Sequence, residues 1–297
     1  MSLRVQNLTK TFDGKVAVDD ISFEMAEPGV FGLIGTNGAG KTTTIRMILG
    51  IMPPDSGSSY WDDKIITREM NFGYMPEERG IYMKTTVLEQ LIYFGVLRGM
   101  KKHEAKESAQ SLMDRLGVIE YKNMLTEKLS KGNQQKIQLI TTLIHDPKLI
   151  FLDEPFSGLD PVNTEMMRNL LYELVEAGKY IVLSSHQMST VEEYCKNLVI
   201  LHKGKTILQG NLSQIKSGYG HTNLIIKTDQ DISAFALEEG LQLIRERADE
   251  TEYRITGDEM ANSFLNKILE AGIYPVKYEI TEPSLNEIFI GKVGAEE

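Results

Sequence analysis

Two hydrophobic rhythms run through the first two thirds of this chain. Leu3–Leu8 and Ile21–Met25 alternate apolar and polar residues, the pattern of strands in a half-exposed sheet. Val30–Ile34, Leu149–Leu152, Tyr180–Ser184 and Leu198–Leu201 are instead near-continuous apolar runs, as buried parallel strands require. Thr43–Leu49 carries apolar residues at helical spacing, and so does Thr85 to about Thr142, which is rich in Leu, Met, Lys and Glu. Alternation of strand and helix segments predicts an α/β domain over residues 1–210, with a helical subdomain inserted at about 85–142. Lys203-Gly204 is expected to form a turn.

Around Gln209–Tyr219 the sequence becomes polar and contains Gly and Ser. Beyond it, Asn223–Thr228, Leu241–Arg247, Glu252–Thr256 and Tyr274–Ile280 read as strands, and Ile232–Leu237 and Ala261–Ala271 as helices. That order, βαββαβ, predicts a small ferredoxin-like α+β domain over 211–297, closed by a helix at Ser284–Ile290 after Pro283.

At 297 residues and 41% hydrophobic content, the chain can fill two cores. It has no apolar stretch near 18 residues and no secretory leader, so it is not expected to cross a membrane by itself. The lone Cys195 excludes an intramolecular disulfide and fits a reducing cytoplasm. Net charge is −10, and it is uneven: from Asn211 onward there are 8 Lys/Arg against 16 Asp/Glu. An acidic tail without a basic stripe disfavours nucleic acid as a partner.

Chemistry enters at Gly35-Thr36-Asn37-Gly38-Ala39-Gly40-Lys41-Thr42-Thr43, a phosphate-binding loop of the form GxxxxGK[ST] between a buried strand and a helix. Its glycines let successive backbone N–H groups converge on phosphate oxygens, and the helix N-terminus favours an anion. Gly35, Asn37, Gly38, Ala39, Gly40, Lys41, Thr42 and Thr43 are therefore candidate ATP contacts. Lys41 would reach the β/γ-phosphates and Thr42 would offer its hydroxyl to Mg²⁺. Downstream, Leu149–Leu152 ends in Asp153-Glu154, two acids at the carboxyl end of a strand, where ligands sit in open α/β sheets. Asp153 would hold Mg²⁺, and Glu154 would orient or deprotonate the attacking water. His103, His145, His202 and His221 lack ligand-like spacing, so no metal beyond that Mg²⁺ is expected.

Two further motifs carry a resemblance. Leu129-Ser130-Lys131-Gly132-Asn133-Gln134-Gln135 lies upstream of the acidic strand, Ser130 being 23 positions before Asp153. Ser157-Gly158-Leu159-Asp160 follows Pro155, and His186 follows the strand ending at Ser184. With the phosphate loop, this order resembles the ATP-binding cassette (ABC) ATPases: Walker A, signature, Walker B, D-loop and switch histidine. The resemblance covers residues 1–210 and implies a P-loop NTPase cassette. It also implies that two cassettes, a homodimer or a pair with a second ATP-binding subunit, bind ATP head to tail. Ser130 and Gly132 would then contact the γ-phosphate of the other chain's ATP. Glu154 and His186 would act in hydrolysis, and Asp160 would couple the two sites. Phe12, 23 residues before Gly35, stands where the family places an adenine-stacking aromatic; the alternative is a core Phe.

Three positions depart from the family pattern: Lys131 for glycine, Asn133 for glutamine, and Glu77 for the glutamine that can reach Mg²⁺. Either Glu77 alters metal coordination, or it faces away and serves partner coupling. Pro76-Glu77-Glu78-Arg79-Gly80, the signature variant and the acidic tail resemble the bacterial ABC-2-type exporters, including sodium-extrusion and drug- or antibiotic-resistance systems. That implies the motor subunit of an exporter on the cytoplasmic face of the membrane. Its partner would be a separate integral membrane permease docking between the Glu77 loop and the helix near Thr86, with Arg79 contributing. The alternative is a soluble ABC ATPase acting on nucleic acid or ribosomes, but the interval from Glu77 to Ser130 is too short for a long coiled coil.

Overall fold

The computed structural model describes residues 1–78 and 80–294; Arg79 and residues 295–297 lie outside the described residues. Two compact units divide at Gln209/Gly210.

The first unit begins with a hairpin, β1 (Leu3–Phe12) and β2 (Lys15–Met25), whose alternating pattern buries Leu3, Val5, Leu8, Ile21 and Phe23 on one face. The fully buried β3 (Gly29–Gly35) leads through the phosphate loop into α1 (Lys41–Ile48). Next come β4 (Ser56–Trp61), the two-residue β5 (Lys64–Ile65) and β6 (Phe72–Met75). The helical insertion contains α2 (Val87–Leu97), α3 (Lys102–Arg115) and α4 (Lys131–Leu143). The chain then returns to the sheet through β7 (Leu149–Asp153), α5 (Pro161–Glu176), β8 (Tyr180–Ser185), α6 (Met188–Tyr194) and β9 (Asn197–His202). β10 (Lys205–Asn211) follows after a tight turn at Lys203-Gly204, both residues having positive φ.

These strands form two sheets. One is four-stranded in the order β2-β1-β4-β5; the other is six-stranded in the order β10-β9-β3-β8-β7-β6. In the second, β3 pairs in parallel with both β8 and β9, which places the phosphate loop at the carboxyl end of the sheet's interior. Residues of both sheets and of α1 share one core, with Leu3, Ile21, Leu33, Ile45, Phe151 and Val199 in the same cluster. Trp61 of β4 meets Tyr180 of β8 edge-on, ring centroids 4.9 Å apart. α1 is thereby clamped between two sheets, and the start of the helix is fixed relative to β7 and β8.

A strand leads directly into the loop that carries Glu77. Phe72–Met75 is β6, the edge strand in parallel register with β7, and the loop begins only at Pro76. Four residues with one glycine are too short to show a period, so the tertiary pairing decides. β4 likewise escaped the sequence reading because Ser56-Gly57-Ser58-Ser59 lacks the apolar residues that mark a strand.

The second unit contains α7 (Leu212–Ser217), β11 (Asn223–Lys227), α8 (Ser233–Glu238), β12 (Gln242–Glu246), β13 (Thr251–Arg254), α9 (Asp258–Glu270), β14 (Lys277–Thr281) and α10 (Leu285–Gly294). Its sheet order is β12-β13-β11-β14 with every neighbour antiparallel, the ferredoxin-like arrangement. Phe264 and Ile268 of α9 pack on Leu224, Ile226 and Tyr253. The last strand is shorter than its sequence pattern predicts. Tyr274 and Val276 are exposed around Pro275, whose missing N–H suits no ladder, and pairing starts at Lys277.

Candidate functional site

The phosphate loop is preorganised by its glycines. Gly38 and Gly40 have φ of 80° and 102°. A Cβ at Gly40 would stand 2.7 Å from the carbonyl oxygen of Ala17, so only glycine fits there without strain. Gly40 is also the N-cap of α1 and has no side chain to occupy the first-turn N–H groups. Those N–H groups, together with the helix dipole, constitute an anion site. Ala39 is buried beneath the loop, whereas Asn37 is exposed on it and Thr43 is partly buried in the first turn of α1.

Lys41 is buried and turned inward. Its Nζ donates to the Gly35 carbonyl at 2.8 Å and lies 3.2 Å from Oε1 of Glu154. Among the described residues Oε1 accepts no hydrogen bond, although the ammonium faces it, while Oε2 of Glu154 meets His186 Nδ1 at 2.8 Å. Glu154 itself has φ 52°, the left-handed region that non-glycine residues seldom occupy. Its N–H donates to Ser184 Oγ at 3.0 Å, which holds this turn immediately after β7. The sharp turn brings the carboxylate back over the loop. A lone buried carboxylate is costly, and Lys41 and His186 together offset that cost.

Asp153 sits one residue earlier and is 1% exposed. Thr42 Oγ1 donates to its Oδ2 at 2.8 Å, and Ser184 Oγ donates to its Oδ1. Burial pushes the Asp153 carboxyl above its ordinary range and the Glu154 charge adds to this, against the hydrogen bonds from Ser184 and Thr42. A carboxylate raised in this way, beside a hydroxyl, fits a hard divalent cation, whose charge would hold the group ionised. Glu77 is exposed, and it lines a cavity with Asp153, Glu154 and Lys131. It thus borders the same cavity as the acidic centre.

The remaining candidates are displayed separately. Ser130 is the exposed N-cap of α4, its hydroxyl accepting from the Asn133 N–H at 3.3 Å. Asp160 is the N-cap of α5 and accepts from the N–H and side-chain amide of Asn163 at 2.8 and 2.7 Å. Gly132 lies against that same Asn163 side chain. Among the described residues no hydrogen bond ties Ser130, Gly132 or Asp160 to the phosphate loop. Phe12 ends β1, is 42% exposed and has the Lys10 ammonium 5.8 Å from its ring centroid, so it is not a core residue.

Sequence reading missed two residues. Ser184 bridges Asp153 and the Glu154 N–H, and only the register of β7 against β8 reveals it. Gln138 of α4 donates to the carbonyls of Pro76 and Glu78 at 2.7 and 3.1 Å, tying the signature helix to the Glu77 loop. Cys195 is buried at the end of α6, and burial pushes its thiol up, which leaves it inert. Among the described residues no group of three or more His, Cys, Asp and Glu is placed to hold a metal by itself, and no helix is long and apolar enough to cross a membrane.

Residues 18–157 match the ABC transporter family, and residues 210–293 match the "ATP-binding protein DrrA1-3-like, C-terminal domain" family. The ABC transporter ATP-binding protein YhaQ of Bacillus subtilis (strain 168) is 43% identical over 295 residues, 99% of either chain. The linearmycin resistance ATP-binding protein LnrL of the same organism is 30% identical, with 98% of each chain covered. Among solved structures, an ATP-binding subunit of an ABC transporter superposes with a TM-score of 0.68 at 29% identity, covering 74% of this chain and 93% of that one. These similarities give no support to the nucleic-acid alternative. With the phosphate loop, the acidic strand and His186 assembled as described, the chain belongs to the ABC transporter ATP-binding proteins and is an ATPase motor subunit resembling the ABC-2-type exporter group.

Proposed function

We propose that this subunit hydrolyses Mg²⁺-ATP between two head-to-tail cassettes and thereby drives a separate membrane permease in the export direction. The observation that supports this best is the hydrogen-bonded chain Thr42–Asp153–Ser184 alongside Lys41–Glu154–His186. Thr42 and Asp153 would hold Mg²⁺, with Glu77 at the edge of the same cavity. The metal would neutralise charge on the phosphates. Phe12 would stack on adenine, and the N–H groups of the loop and of the first turn of α1 would cradle the phosphates.

Lys41 has two competing anions in this reading. With the loop free it pairs with Glu154; a triphosphate draws the ammonium away and releases Oε1. Glu154 is then free to take a proton from water as its oxygen attacks the γ-phosphorus and the bond to the leaving ADP breaks. His186, already hydrogen-bonded to Oε2, holds that carboxylate in position. The exposed N-terminus of α4 at Ser130 and Gly132 would meet the γ-phosphate of a second cassette, and Asp160 would lie at the same junction. ATP would thus join the cassettes, and hydrolysis would part them.

The permease would dock near the groove lined by Tyr74, Pro76, Phe94, Arg98, Gln138 and His145, which Gln138 links to α4. Such docking would place the protein on the cytoplasmic face of the membrane. The test is purification of the Glu154→Gln variant with MgATP from native membranes. Co-purification of an integral membrane protein with several apolar spans is the expected result. Recovery of soluble protein, ribosomes or DNA alone would overturn the transporter assignment to this subunit and leave its ATPase chemistry standing.

A further inference from the structure

The ferredoxin-like unit contains a cleft of its own, about 420 Å³, between α8 and the sheet. That volume falls within the roughly 300–1,000 Å³ of small-molecule pockets. Its floor is apolar, built by Ile226 and Leu241. Its walls carry two leucines in open water, Leu237 at 80% and Leu243 at 58% exposure. Either one alone would be ordinary; here they flank one cavity, and an apolar occupant would cover both.

Most of the charged groups lining the cleft are carboxylates. Tyr253 is 6% exposed, yet among the described residues its phenol has no hydrogen-bond partner, and it lines the cavity. The carboxylates of Asp231 and Glu246 line the same space and act on that phenol: burial first, then these two charges, push its pKa up. Two neighbouring acids are already neutralised, Asp249 by Lys227 at 2.9 Å and Glu250 by Lys277 at 3.1 Å. One oxygen of Asp231 accepts from the Ser233 N–H at 2.9 Å, and Glu246 has no ion pair among the described residues. Arg247 lines the rim too, one cation against the two carboxylates without an ion pair among the described residues.

We propose that this cleft binds a small cationic amphiphile, an alkyl or aryl body of modest size bearing one primary ammonium. The body would cover Leu237 and Leu243. An ammonium offers three donors and no acceptor, and the cleft supplies three acceptors in Tyr253 Oη, Asp231 and Glu246. An anion would meet two carboxylates, and a neutral apolar molecule would leave the phenol unpaired. The volume suits a free small molecule rather than a docked protein surface. This site is separate from the nucleotide chemistry and does not depend on it.

The experiment is calorimetric titration of the full-length protein near pH 7 with octylammonium, using octanol and methylammonium as the two half-ligands. Saturable 1:1 binding of octylammonium, about tenfold or more tighter than either half-ligand, is the expected result. In the Asp231→Asn/Glu246→Gln variant the affinity should fall about tenfold or more, the size of one charge-assisted hydrogen bond. Asp231→Asn keeps a side-chain oxygen to accept from the Ser233 N–H, and melting of the variant checks that the unit is intact. Tyr253→Phe should weaken octylammonium and leave octanol unchanged. Equal binding of octanol, undiminished affinity in the double variant, or no saturable binding would overturn the proposal. So would a lysine-containing tripeptide that outcompetes octylammonium.

Discussion

Lys41 and Glu154 stand 3.2 Å apart with side chains 7% and 5% exposed, so the loop's lysine and the candidate base are one buried ion pair. Removing one partner strands the other, typically at a cost of about 3–5 kcal/mol. Lys41→Met should therefore destabilise the nucleotide-free cassette. Adding Glu154→Gln to it should recover part of the loss, with a coupling energy of about 1–3 kcal/mol. Strict additivity in a denaturation cycle would show that the pair carries no energy.

Glu154→Gln alone keeps the turn and the isosteric side chain but removes the base. ATP binding should persist, and turnover should fall by about 10²–10⁴. ATP should also convert this variant to a stable dimer, visible by light scattering. Hydrolysis at the wild-type rate would remove Glu154 from its assigned role.

Two glycines separate fold from function. At Gly40 an added Cβ meets backbone at 2.7 Å and φ is 102°, so Gly40→Ala should cost about 1–3 kcal/mol and abolish ATP binding together. At Gly132 the Cβ would meet only the end of the Asn163 side chain, at 2.7 Å, and that side chain can turn aside. Gly132→Ala should leave the melting temperature nearly unchanged while lowering ATPase activity. A large loss of stability in Gly132→Ala would mean that the signature glycine serves packing.

These contrasts also mark what the sequence could convey. The loop 35–43 and the acids 153–154 stood out because the chemistry expected of them restricts residue type at fixed spacing, and His186 stood out only through the family resemblance. The parallel strands were legible because burial on both faces leaves near-continuous apolar runs, as in Leu149–Leu152. Ser184 and Gln138 were not. One serine in a strand and one glutamine in a helix acquire meaning only from the neighbour that the fold gives them, Asp153 in one case and the Pro76 carbonyl in the other. β6 was hidden for the same reason, its identity residing in its pairing with β7.

Ser184→Ala tests that hidden contribution. The substitution removes the donor to Asp153 and the acceptor of the Glu154 N–H. Each lost buried bond is worth about 1–3 kcal/mol. The Mg²⁺ concentration for half-maximal ATPase activity should rise several-fold, since the carboxylate is no longer held. An unchanged Mg²⁺ dependence would show that Thr42 positions Asp153 by itself.

Asp153 gives the free cassette a pH dependence of definite sign. Its carboxyl lies above the ordinary 3.8, so the folded state binds the proton more tightly than the unfolded chain. The contribution is fully present below about pH 3.8 and is lost as pH rises through the raised value. At neutral pH, burial of the ionised group is a net cost. Asp153→Asn should accordingly flatten the decline in cassette stability above pH 3.8 in the absence of nucleotide.

The second unit responds in the opposite direction through Glu287. Burial would push this carboxyl up. The Ser284 N–H and hydroxyl, the Asn223 amide and the Arg254 guanidinium at 2.7 Å outweigh it and hold the group below its ordinary 4.5. A lowered folded value means stability that is present above about pH 4.5 and lost as pH falls through that lower value. Glu287 lies in the first turn of α10 and ties it to β11 and β13, so acid should free that helix first. Hydrogen exchange on the full-length protein should show α10 amides losing protection below pH 4.5 before those of α9. Glu287→Gln keeps the shape, loses the charge-assisted bonds, and should weaken α10 protection already at pH 7. Protection of α10 that is independent of pH and of this substitution would place its anchorage in Leu285 and Ile288 instead, the two buried apolar residues of the helix.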